Sequence, residues 1–316
     1  MKKINIPDTD LELSAIGFGT LNAGLAWDGE AAVRILEKYV GCGGNVIDTA
    51  HIYSDWIPGE KARAERVIGQ WIKGRKRRQD IILMTKGGHP RLEAMEASRL
   101  SKEEMAGDLD ASLRKLCTDY IDIYFYHRDD PGHSVEELVE TMESFRKAGK
   151  IRYYACSNWK VKRMEEADRY CREKGYRGFV ANQAMYNIGA RSARPMSDPT
   201  MLACGQEMLA YHARSNNLLM PYRGICGGFF HSFAEKGEDG VKESCFYTKD
   251  NVNLAKEIKA LCIKKGYGMT QVLLGFFAVQ DIPMLPLAGA DNEQQLKELI
   301  LTLGTEFDAR DYEFCR

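Results

Sequence analysis

The stretch IDIYFYH, from Ile121 to His127, is a short run in which almost every residue is apolar or aromatic. Two runs of the same kind flank it in the chain, IILMTK at 81–86 and IRYYACS at 151–157. Short, nearly continuous apolar runs are typical of strands that are buried on both faces, as in a parallel sheet covered by helices. We therefore predict that these three runs are neighbouring parallel strands.

Eight such runs occur along the chain, and the segments between them are long enough to form helices. The runs are SAIGFG (14–19), NVIDTA (45–50), IILMTK (81–86), IDIYFYH (121–127), IRYYACS (151–157), GFVANQ (178–183), LLMPY (218–222) and IPMLPLAG (282–289). Two intervening segments begin with capping-box spacings, Ser101 to Glu104 and Ser134 to Glu137, which mark helix starts. Eight strands alternating with helices predict an α/β fold, a closed (β/α)8 or TIM barrel.

The remaining segments add little to this architecture. Alternating apolar residues around the turn Pro7-Asp-Thr-Asp10 predict a short N-terminal β-hairpin, which we expect to close the bottom of the barrel. No linker, low-complexity tract or shift in composition separates two parts of the chain. We therefore predict a single domain over residues 1–316.

Composition limits the class of function. A formal net charge of −1 in 316 residues offers no electrostatic footprint for nucleic acid or an anionic membrane surface. The nine cysteines are odd in number and scattered, with no CxxC pair, which is typical of reduced thiols in a cytoplasmic protein. The charged start lacks a following apolar stretch, so we expect no secretory signal. A small-molecule substrate is the default partner, and the oligomeric state is open.

Four chemically distinct side chains lie at or just beyond the ends of three successive predicted strands: Asp48, Tyr53, Lys86 and His127. The carboxyl ends of parallel barrel strands share one rim, where the active sites of such barrels lie. A free tyrosine has a pKa of about 10. A lysine ammonium about 4 Å away favours the phenolate by up to roughly 4 kcal/mol, before desolvation opposes it. Lys86 is thus predicted to tune Tyr53 as a proton donor, with Asp48 holding the lysine.

An imidazole in this group suggests the substrate. His127 has a donor that can point at a carbonyl oxygen and stabilise the alkoxide that develops there. No side chain supplies a hydride, so the reduction of a carbonyl implies a nicotinamide cofactor. Two plainer interpretations stay open, because Asp48 and Lys86 also suit a structural ion pair and His127 alone suits a hydrogen-bonded core residue.

With these residues in order, the chain resembles the aldo-keto reductases. The resemblance is carried by Asp48-Thr-Ala-His-Ile-Tyr53, Thr85-Lys86, Tyr126-His127, Ser157-Asn158, Gln183, Tyr222 and the Gly289 region. It implies a barrel that binds NAD(P)H across its upper rim, with Tyr53 as general acid, Lys86 and Asp48 as its supports and His127 orienting the substrate.

The resemblance also implies a set of cofactor-binding residues. By this resemblance, Ser157, Asn158 and Gln183 match positions that hold the nicotinamide carboxamide. Tyr222 matches the aromatic residue that stacks on the nicotinamide ring, and Gly224 to Gly228 match the loop near the pyrophosphate. The full set assigned to the cofactor is Gly19, Thr20, Leu21, Asp48, Ser157, Asn158, Gln183, Tyr222, Arg223, Gly224, Gly227, Gly289, Asp291 and Gln295.

Two positions depart from the family pattern. Arg223-Gly224-Ile225 follows Tyr222 where a serine-proline-leucine run is common in the family, which leaves the pyrophosphate contacts open. Asp291 stands where members that prefer NADP often place arginine. A carboxylate repels a 2′-phosphate and accepts hydrogen bonds from ribose hydroxyls, so the prediction leans towards NADH. Asp291 to Gln294 also fits a capping box, and both roles are compatible at one helix start.

Substrate contacts are predicted from loops that follow strand ends. Trp27, Trp56 and Trp159 are expected to form an aromatic wall, and Arg128 beside His127 to bind hydroxyls or a carboxylate, although loop anchoring explains the tryptophans equally well. The segment 229–250 suits either a lid or a local core. Sugar-like and aromatic carbonyls both remain candidate substrates.

Three functions from different classes stay open. The preferred one is reversible, NAD(P)H-dependent reduction of an aldehyde or ketone to an alcohol. The second is a nicotinamide-nucleotide-sensing regulatory subunit on the same fold, and the third is a metal-dependent barrel hydrolase. No catalytic metal is predicted, because His51 and His89 form no HxH or HExxH spacing and a dication beside Lys86 is unfavourable. His51 is expected to turn away from the site or to line the loop.

Overall fold

The computed structural model describes residues 3–315, which form ten strands and ten α-helices. The strands are β1 (Lys3–Asn5), β2 (Glu12–Ser14), β3 (Gly17–Gly19), β4 (Val46–Asp48), β5 (Ile82–Gly87), β6 (Ile121–Tyr126), β7 (Ile151–Ser157), β8 (Ala181–Gln183), β9 (Leu218–Leu219) and β10 (Leu287–Ala288). The helices are α1 (Gly29–Gly41), α2 (Arg63–Gly74), α3 (Lys102–Lys115), α4 (Val135–Lys147), α5 (Val161–Lys174), α6 (Gln206–Arg214), α7 (Phe229–Lys236), α8 (Lys249–Lys265), α9 (Met269–Ala278) and α10 (Glu293–Leu303).

Eight of these strands form one parallel sheet that curls into a barrel. Their order is β10-β3-β4-β5-β6-β7-β8-β9, so neighbours in space are neighbours in the chain except where the last strand meets the first. A parallel bridge pairs Leu219 with Met284, and the amide of Leu285 donates to the Leu219 carbonyl at 3.0 Å. The segment ahead of β10 therefore closes the gap beside β9, and the predicted (β/α)8 fold is confirmed.

The N-terminal hairpin covers the lower end of the barrel. Strands β1 and β2 are antiparallel, with Ile4 opposite Leu13. Ile6, Leu11 and Leu13 are buried in the same apolar cluster as Val46 and other inward-facing residues of the barrel strands. Because the hairpin places these side chains under the strand starts, the predicted closure of the barrel bottom is confirmed.

Two helices begin where the sequence predicts. Ser101 is the N-cap of α3 and its hydroxyl accepts a hydrogen bond from the backbone amide of Glu104. Ser134 caps α4 in the same way through the amide of Glu137. Such caps satisfy one of the amide donors that every helix start leaves unpaired. Both capping interpretations are therefore confirmed.

The connection between β9 and α9 is longer than the others and carries α7 and α8. Phe229 and Phe230 are buried, with ring centroids 4.9 Å apart, and Phe229 also faces Phe246 at 6.4 Å. On the other side of the same segment, Glu235 and Ser244 line the large cleft at the upper rim. The segment 229–250 thus forms a local aromatic core that also serves as a wall of this cleft.

Three features concern the chain as a whole. All nine cysteines are free, and four of them are buried. Over residues 3–315, no helix combines the length and the apolarity needed to cross a lipid bilayer. The assignment of residues 1–316 to a single domain stays a prediction.

Two glycines on neighbouring helices test how tightly the helical layer packs. A Cβ added at Gly69 in α2 would lie 1.8 Å from the backbone oxygen of Lys115, whereas one added at Gly107 in α3 meets nothing within 4 Å. We expect Gly69→Ala to lower the free energy of unfolding by about 1–3 kcal/mol or more, because backbone must move. The matched control, Gly107→Ala, should raise it by about 0.5–1 kcal/mol through helix propensity alone. Urea unfolding measures both, and equal effects would contradict the packing of α2 on α3.

Candidate active site

The four predicted catalytic side chains converge at the upper rim of the barrel. Asp48 ends β4, Lys86 is the second-last residue of β5, and His127 directly follows β6. Tyr53 lies in a series of turns after β4, in which its amide donates to the Ala50 carbonyl at 3.1 Å. Parallel pairing of β4 with β5 and of β5 with β6 brings the strand ends together.

A buried ion pair forms the centre of this group. Nζ of Lys86 lies 2.9 Å from Oδ1 and 2.8 Å from Oδ2 of Asp48, and 2.7 Å from the Thr49 carbonyl oxygen. Gln183 donates to Oδ1 of the same carboxylate at 2.8 Å. Burial acts to lower the pKa of Lys86, but Asp48 and Tyr53 outweigh it and raise that pKa above its usual value. The lysine is therefore held as an ammonium ion.

Tyr53 stands beside this ammonium. Nζ of Lys86 lies 3.4 Å from the phenolic oxygen. Burial raises the pKa of Tyr53, the nearby Lys86 acts to lower it, and the net direction is upward. The sequence indicates only the contribution of Lys86 before desolvation opposes it, and here removal of the phenolate from water outweighs its attraction to the ammonium. In this state the phenol keeps its proton.

The loop that carries Tyr53 is anchored from below. The amide of His51 donates to the carbonyl of Lys86 at 3.0 Å, which continues the pairing between β4 and β5. The imidazole of His51 turns away from the cleft, with Nδ1 at 3.3 Å from the Ser112 hydroxyl and 3.4 Å from Oε2 of Glu65. The prediction that His51 turns away is confirmed.

His127 is buried, with only 8% of its surface exposed. Its Nδ1 is sealed from solvent and has no hydrogen-bond partner within residues 3–315. Burial, followed by the charge of Arg128, lowers the pKa of His127 well below its usual value, so the ring is neutral. A buried N–H group without an acceptor costs more free energy than a buried lone pair without a donor. We therefore assign the single proton of the ring to Nε2 and the lone pair to Nδ1.

The residues expected to hold a carboxamide form one hydrogen-bonded group. The Ser157 hydroxyl donates to the Gln183 carbonyl at 3.1 Å, and the Asn158 amide donates to the Ser157 hydroxyl at 3.0 Å. The Tyr222 hydroxyl donates to the amide oxygen of Asn158 at 2.7 Å. These contacts fix the polar side chains at the ends of β7 and β8 against one another.

One cleft of about 1300 Å³ connects the four-residue centre with the rest of the rim. All of the residues that sequence assigned to the cofactor line it, namely Gly19, Thr20, Leu21, Asp48, Ser157, Asn158, Gln183, Tyr222, Arg223, Gly224, Gly227, Gly289, Asp291 and Gln295. Tyr53, Lys86 and His127 line the same cleft. Its volume exceeds the roughly 300–1,000 Å³ of ordinary ligand pockets, so it has room for a large ligand and a second molecule.

The loop after β9 has an unusual backbone. Arg223, Cys226, Gly227 and Gly228 all have left-handed conformations, with φ of 56°, 54°, 58° and 80°. A Cβ added at Gly227 or Gly228 would meet nothing within 4 Å. Left-handed residues among right-handed ones turn backbone amides towards one side and create concavities that attract anions. The loop therefore suits phosphate although it lacks a serine-proline-leucine run.

The far end of the cleft lies at the start of α10. Asn292 is the N-cap, since its side chain accepts from the Gln295 amide, and Oε1 of Gln295 accepts from the Asp291 amide at 2.8 Å. The capping box predicted for Asp291 to Gln294 is therefore wrong by one residue. This leaves the Asp291 carboxylate free of the cap, and it accepts a hydrogen bond from Asn22 at 2.8 Å.

The three tryptophans have different environments. Trp27 lines the cleft and donates through Nε1 to the Ala290 carbonyl at 2.9 Å. Trp56 lines the rim of the cleft with 45% of its surface exposed. The prediction that Trp159 contacts substrate is wrong. Trp159 is fully buried beside Phe179 and outside the cleft lining, because the left-handed Asn158 before it turns the chain away.

Arg128 lines the cleft but is committed to the protein. Its guanidinium donates to Oδ2 of Asp198 at 2.8 Å, to the Thr200 hydroxyl at 2.7 Å and to the His127 carbonyl at 2.8 Å. These contacts join the end of β6 to the long loop after β8. The charge of Arg128 is thus already balanced by Asp198. The predicted contact of Arg128 with substrate stays a prediction.

Sequence reasoning missed several residues of the cleft wall. They are Asn22, His89, Leu92, Met95, Pro195, Met196, Ser197, Asp198, Met201, His231, Glu235 and Thr270. For those from Pro195 to Met201, the available signal was the length of the segment between the sixth strand run and the next helix, because long loops of barrels commonly carry function. For a metal, the structure offers no candidate: no group of three or more His, Cys, Asp or Glu residues within 3–315 has a suitable arrangement.

Known proteins that are similar to this chain point to one family. A model described as the Aldo/keto reductase family matches residues 15–316. The chain is 24% identical to an aryl-alcohol dehydrogenase of Pestalotiopsis microspora, over 97% of this chain and 79% of that protein. It is 26% identical to norsolorinic acid reductase B of Dothistroma septosporum, over 97% of this chain and 78% of that protein. A solved thermostable aldo-keto reductase in complex with the inhibitor epalrestat superposes with a TM-score of 0.75 at 20% identity, covering 100% of this chain and 98% of that chain, which shows the fold.

Removal of one partner tests the ion pair. Asp48→Asn leaves the Lys86 ammonium buried without a counter-charge, and we expect the free energy of unfolding to fall by about 3–5 kcal/mol at neutral pH. The control is the double variant Asp48→Asn with Lys86→Met, in which no uncompensated charge remains and most of that loss should be recovered. Urea unfolding of all three proteins gives the comparison. A loss below about 1 kcal/mol in the single variant would contradict the buried pair.

Proposed function

We propose, since this chain belongs to the aldo/keto reductase family, that it reversibly reduces an aldehyde or ketone to an alcohol with a reduced nicotinamide cofactor. One observation carries the proposal: a single buried ammonium, on Lys86, contacts both the carboxylate of Asp48 and the phenol of Tyr53. A structural ion pair needs no phenol within reach. A site that donates a proton at the edge of a cleft needs such a phenol.

Tyr53 is the general acid in this proposal. Burial keeps its pKa above the usual value, so the hydroxyl is protonated when a carbonyl oxygen arrives. As the proton leaves, negative charge grows on the phenolic oxygen, which lies 3.4 Å from Nζ of Lys86. The ammonium therefore stabilises the phenolate that forms more than the phenol that precedes it, which lowers the barrier to proton transfer. Asp48 keeps Lys86 charged and in place.

His127 orients the carbonyl in this proposal. Its neutral ring carries the proton on Nε2, which is a donor at the cleft. A donor aimed at the carbonyl oxygen holds that atom near the Tyr53 hydroxyl and stabilises the charge that develops on it. Because the ring is neutral, it does this without competing with Tyr53 as a proton source.

The cleft has the features that a nicotinamide dinucleotide requires. Ser157, Asn158 and Gln183 offer amide and hydroxyl groups to a carboxamide, and Tyr222 lies beside them with an aromatic face. The left-handed loop that ends at Gly228 offers backbone amides to phosphate. When bound, the cofactor supplies the hydride that no side chain supplies. The remaining assigned residues, at Gly19 to Leu21 and at Gly289 to Gln295, border its path through the cleft.

The proposed cofactor is NADH rather than NADPH. Asp291 lines the cleft and its carboxylate is free of the helix cap. From Leu287 to Gln295 this wall contains no lysine or arginine to balance a 2′-phosphate. A carboxylate in such a place repels a phosphate and accepts hydrogen bonds from ribose hydroxyls.

The proposed location is the cytoplasm. Nine free cysteines, several of them packed as apolar side chains, suit a compartment that keeps thiols reduced. The near-zero formal charge of −1 supports a small-molecule carbonyl compound as the partner rather than nucleic acid or a membrane surface.

The role of Tyr53 is tested by removing one oxygen atom. We expect Tyr53→Phe to lower kcat/KM for carbonyl reduction by roughly 10²–10⁴-fold, as the loss of a general acid does. Cofactor affinity, followed by intrinsic fluorescence, should stay within a few-fold. The matched control is Tyr170→Phe, which removes the same atom from a tyrosine bonded to Glu140 on the outer helices. Near wild-type turnover by Tyr53→Phe would show that another group donates the proton.

The cofactor preference is tested at Asp291. We expect Asp291→Arg to shift the ratio of NADPH to NADH affinity towards NADPH by about tenfold or more, because a repulsive charge becomes an attractive one. Glu293→Arg is the control, since it makes the same change of charge two residues further on, outside the cleft lining. Titration of both cofactors into each protein decides the matter. An unchanged ratio in Asp291→Arg, or an equal shift in both variants, would remove Asp291 as the determinant.

A further inference from the structure

A second imidazole shares the cleft wall with His127. His89 follows β5 and its ring meets that of His127 edge to face, with centroids 4.8 Å apart and an interplanar angle of 66°. Both side chains line the cleft, and each is only 8% exposed. His89 has no part in the proton transfer proposed above.

The hydrogen-bonding sense of His89 is fixed by its neighbour in the chain. Nδ1 of His89 lies 2.7 Å from the carbonyl oxygen of Pro90. A carbonyl oxygen only accepts hydrogen bonds, so Nδ1 must carry the proton. Burial, together with the charge of Arg128, lowers the pKa of His89 to about 4, and the ring is therefore neutral at physiological pH. A neutral imidazole protonated on Nδ1 presents a bare lone pair on Nε2.

This lone pair is available to a ligand. No hydrogen bond within residues 3–315 uses Nε2 of His89, and this atom is not sealed from the cleft as Nδ1 of His127 is. The nearby carboxylate of Asp198 is already engaged, because its oxygens accept from Arg128 and from Thr200. On this part of the wall, His89 is thus a buried acceptor that still lacks a donor.

The two imidazoles have opposite roles at one place. His127 carries its proton on Nε2 and offers a donor, whereas His89 carries its proton on Nδ1 and offers an acceptor. We propose that His89 determines specificity by accepting a hydrogen bond from a hydroxyl group adjacent to the carbonyl of the substrate. The substrate class is then the hydroxy carbonyl compounds. This inference rests on the proposed carbonyl reduction.

The preference for a hydroxyl-bearing substrate follows from the free-energy cost of burying an acceptor without a hydrogen-bond donor. A substrate without a hydroxyl covers Nε2 of His89 with apolar atoms and removes it from water with no replacement partner. A substrate with a hydroxyl in reach restores that hydrogen bond. A single neutral hydrogen bond of this kind is expected to change kcat/KM by about tenfold.

Three ketones that differ in one group test the inference. The α-hydroxy ketone α-hydroxyacetophenone carries the donor, propiophenone replaces its hydroxyl with a methyl group, and α-methoxyacetophenone keeps the electron-withdrawing oxygen without the donor. We expect wild-type kcat/KM for the hydroxy ketone to exceed both others by about tenfold or more. In His89→Phe, which keeps a ring but has no acceptor, the three values should converge, because the hydroxy ketone loses its hydrogen bond and the other two ketones no longer bury an unpaired nitrogen.

The outcomes separate the two proposals. Equal turnover of the three ketones by the wild type, or an unchanged preference in His89→Phe, overturns the role of His89 while carbonyl reduction stands. No turnover of any of them overturns both. Turnover of the methoxy ketone by His89→Phe at or above the wild-type value shows that His127 is still correctly placed. If His89→Phe does not fold, His89→Leu and the wild-type comparison decide the same question.

Discussion

The buried contact between Lys86 and Asp48 is the constraint on which the site depends. An ammonium ion that is 2% exposed must have its charge and its three protons satisfied within the protein. The two carboxylate oxygens of Asp48 and the carbonyl of Thr49 do this at 2.7–2.9 Å. All three strong donors are thereby used inside the barrel rim. Tyr53, at 3.4 Å, receives the electrostatic influence of the ammonium more than a hydrogen bond from it.

This arrangement explains why the phenol responds as it does. The Asp48 carboxylate offsets much of the positive potential that Lys86 would otherwise place on Tyr53, and burial penalises the phenolate further. The pKa of Tyr53 therefore rises although a cation is its neighbour. A general acid must stay protonated until a stronger base forms beside it, and the alkoxide that develops during carbonyl reduction is such a base. A raised pKa in the free protein is thus compatible with the proposed role.

The sequence predicts those features that depend on local pattern. Each of the eight strands was visible as an apolar run because burial on both faces removes the need for polar residues. Asp48, Lys86 and His127 could be placed together because the ends of parallel strands share one rim. Trp159 could not be placed, since the left-handed Asn158 before it redirects the chain and sequence does not display a dihedral angle. The cap of α10 was missed by one residue because Asp291 and Asn292 are both good N-caps.

The contrast between His89 and His127 shows a further limit of pattern. Both are equally buried imidazoles that follow strands at the same rim, so composition, burial and position do not distinguish them. What differs is the environment of Nδ1, which lies 2.7 Å from the Pro90 carbonyl oxygen in His89 and has no hydrogen-bond partner within residues 3–315 in His127. The position of one proton, and hence whether each ring donates or accepts at the cleft, follows from that single atom. Polarity within the cleft is therefore decided by backbone groups behind its walls as much as by the side chains that line it.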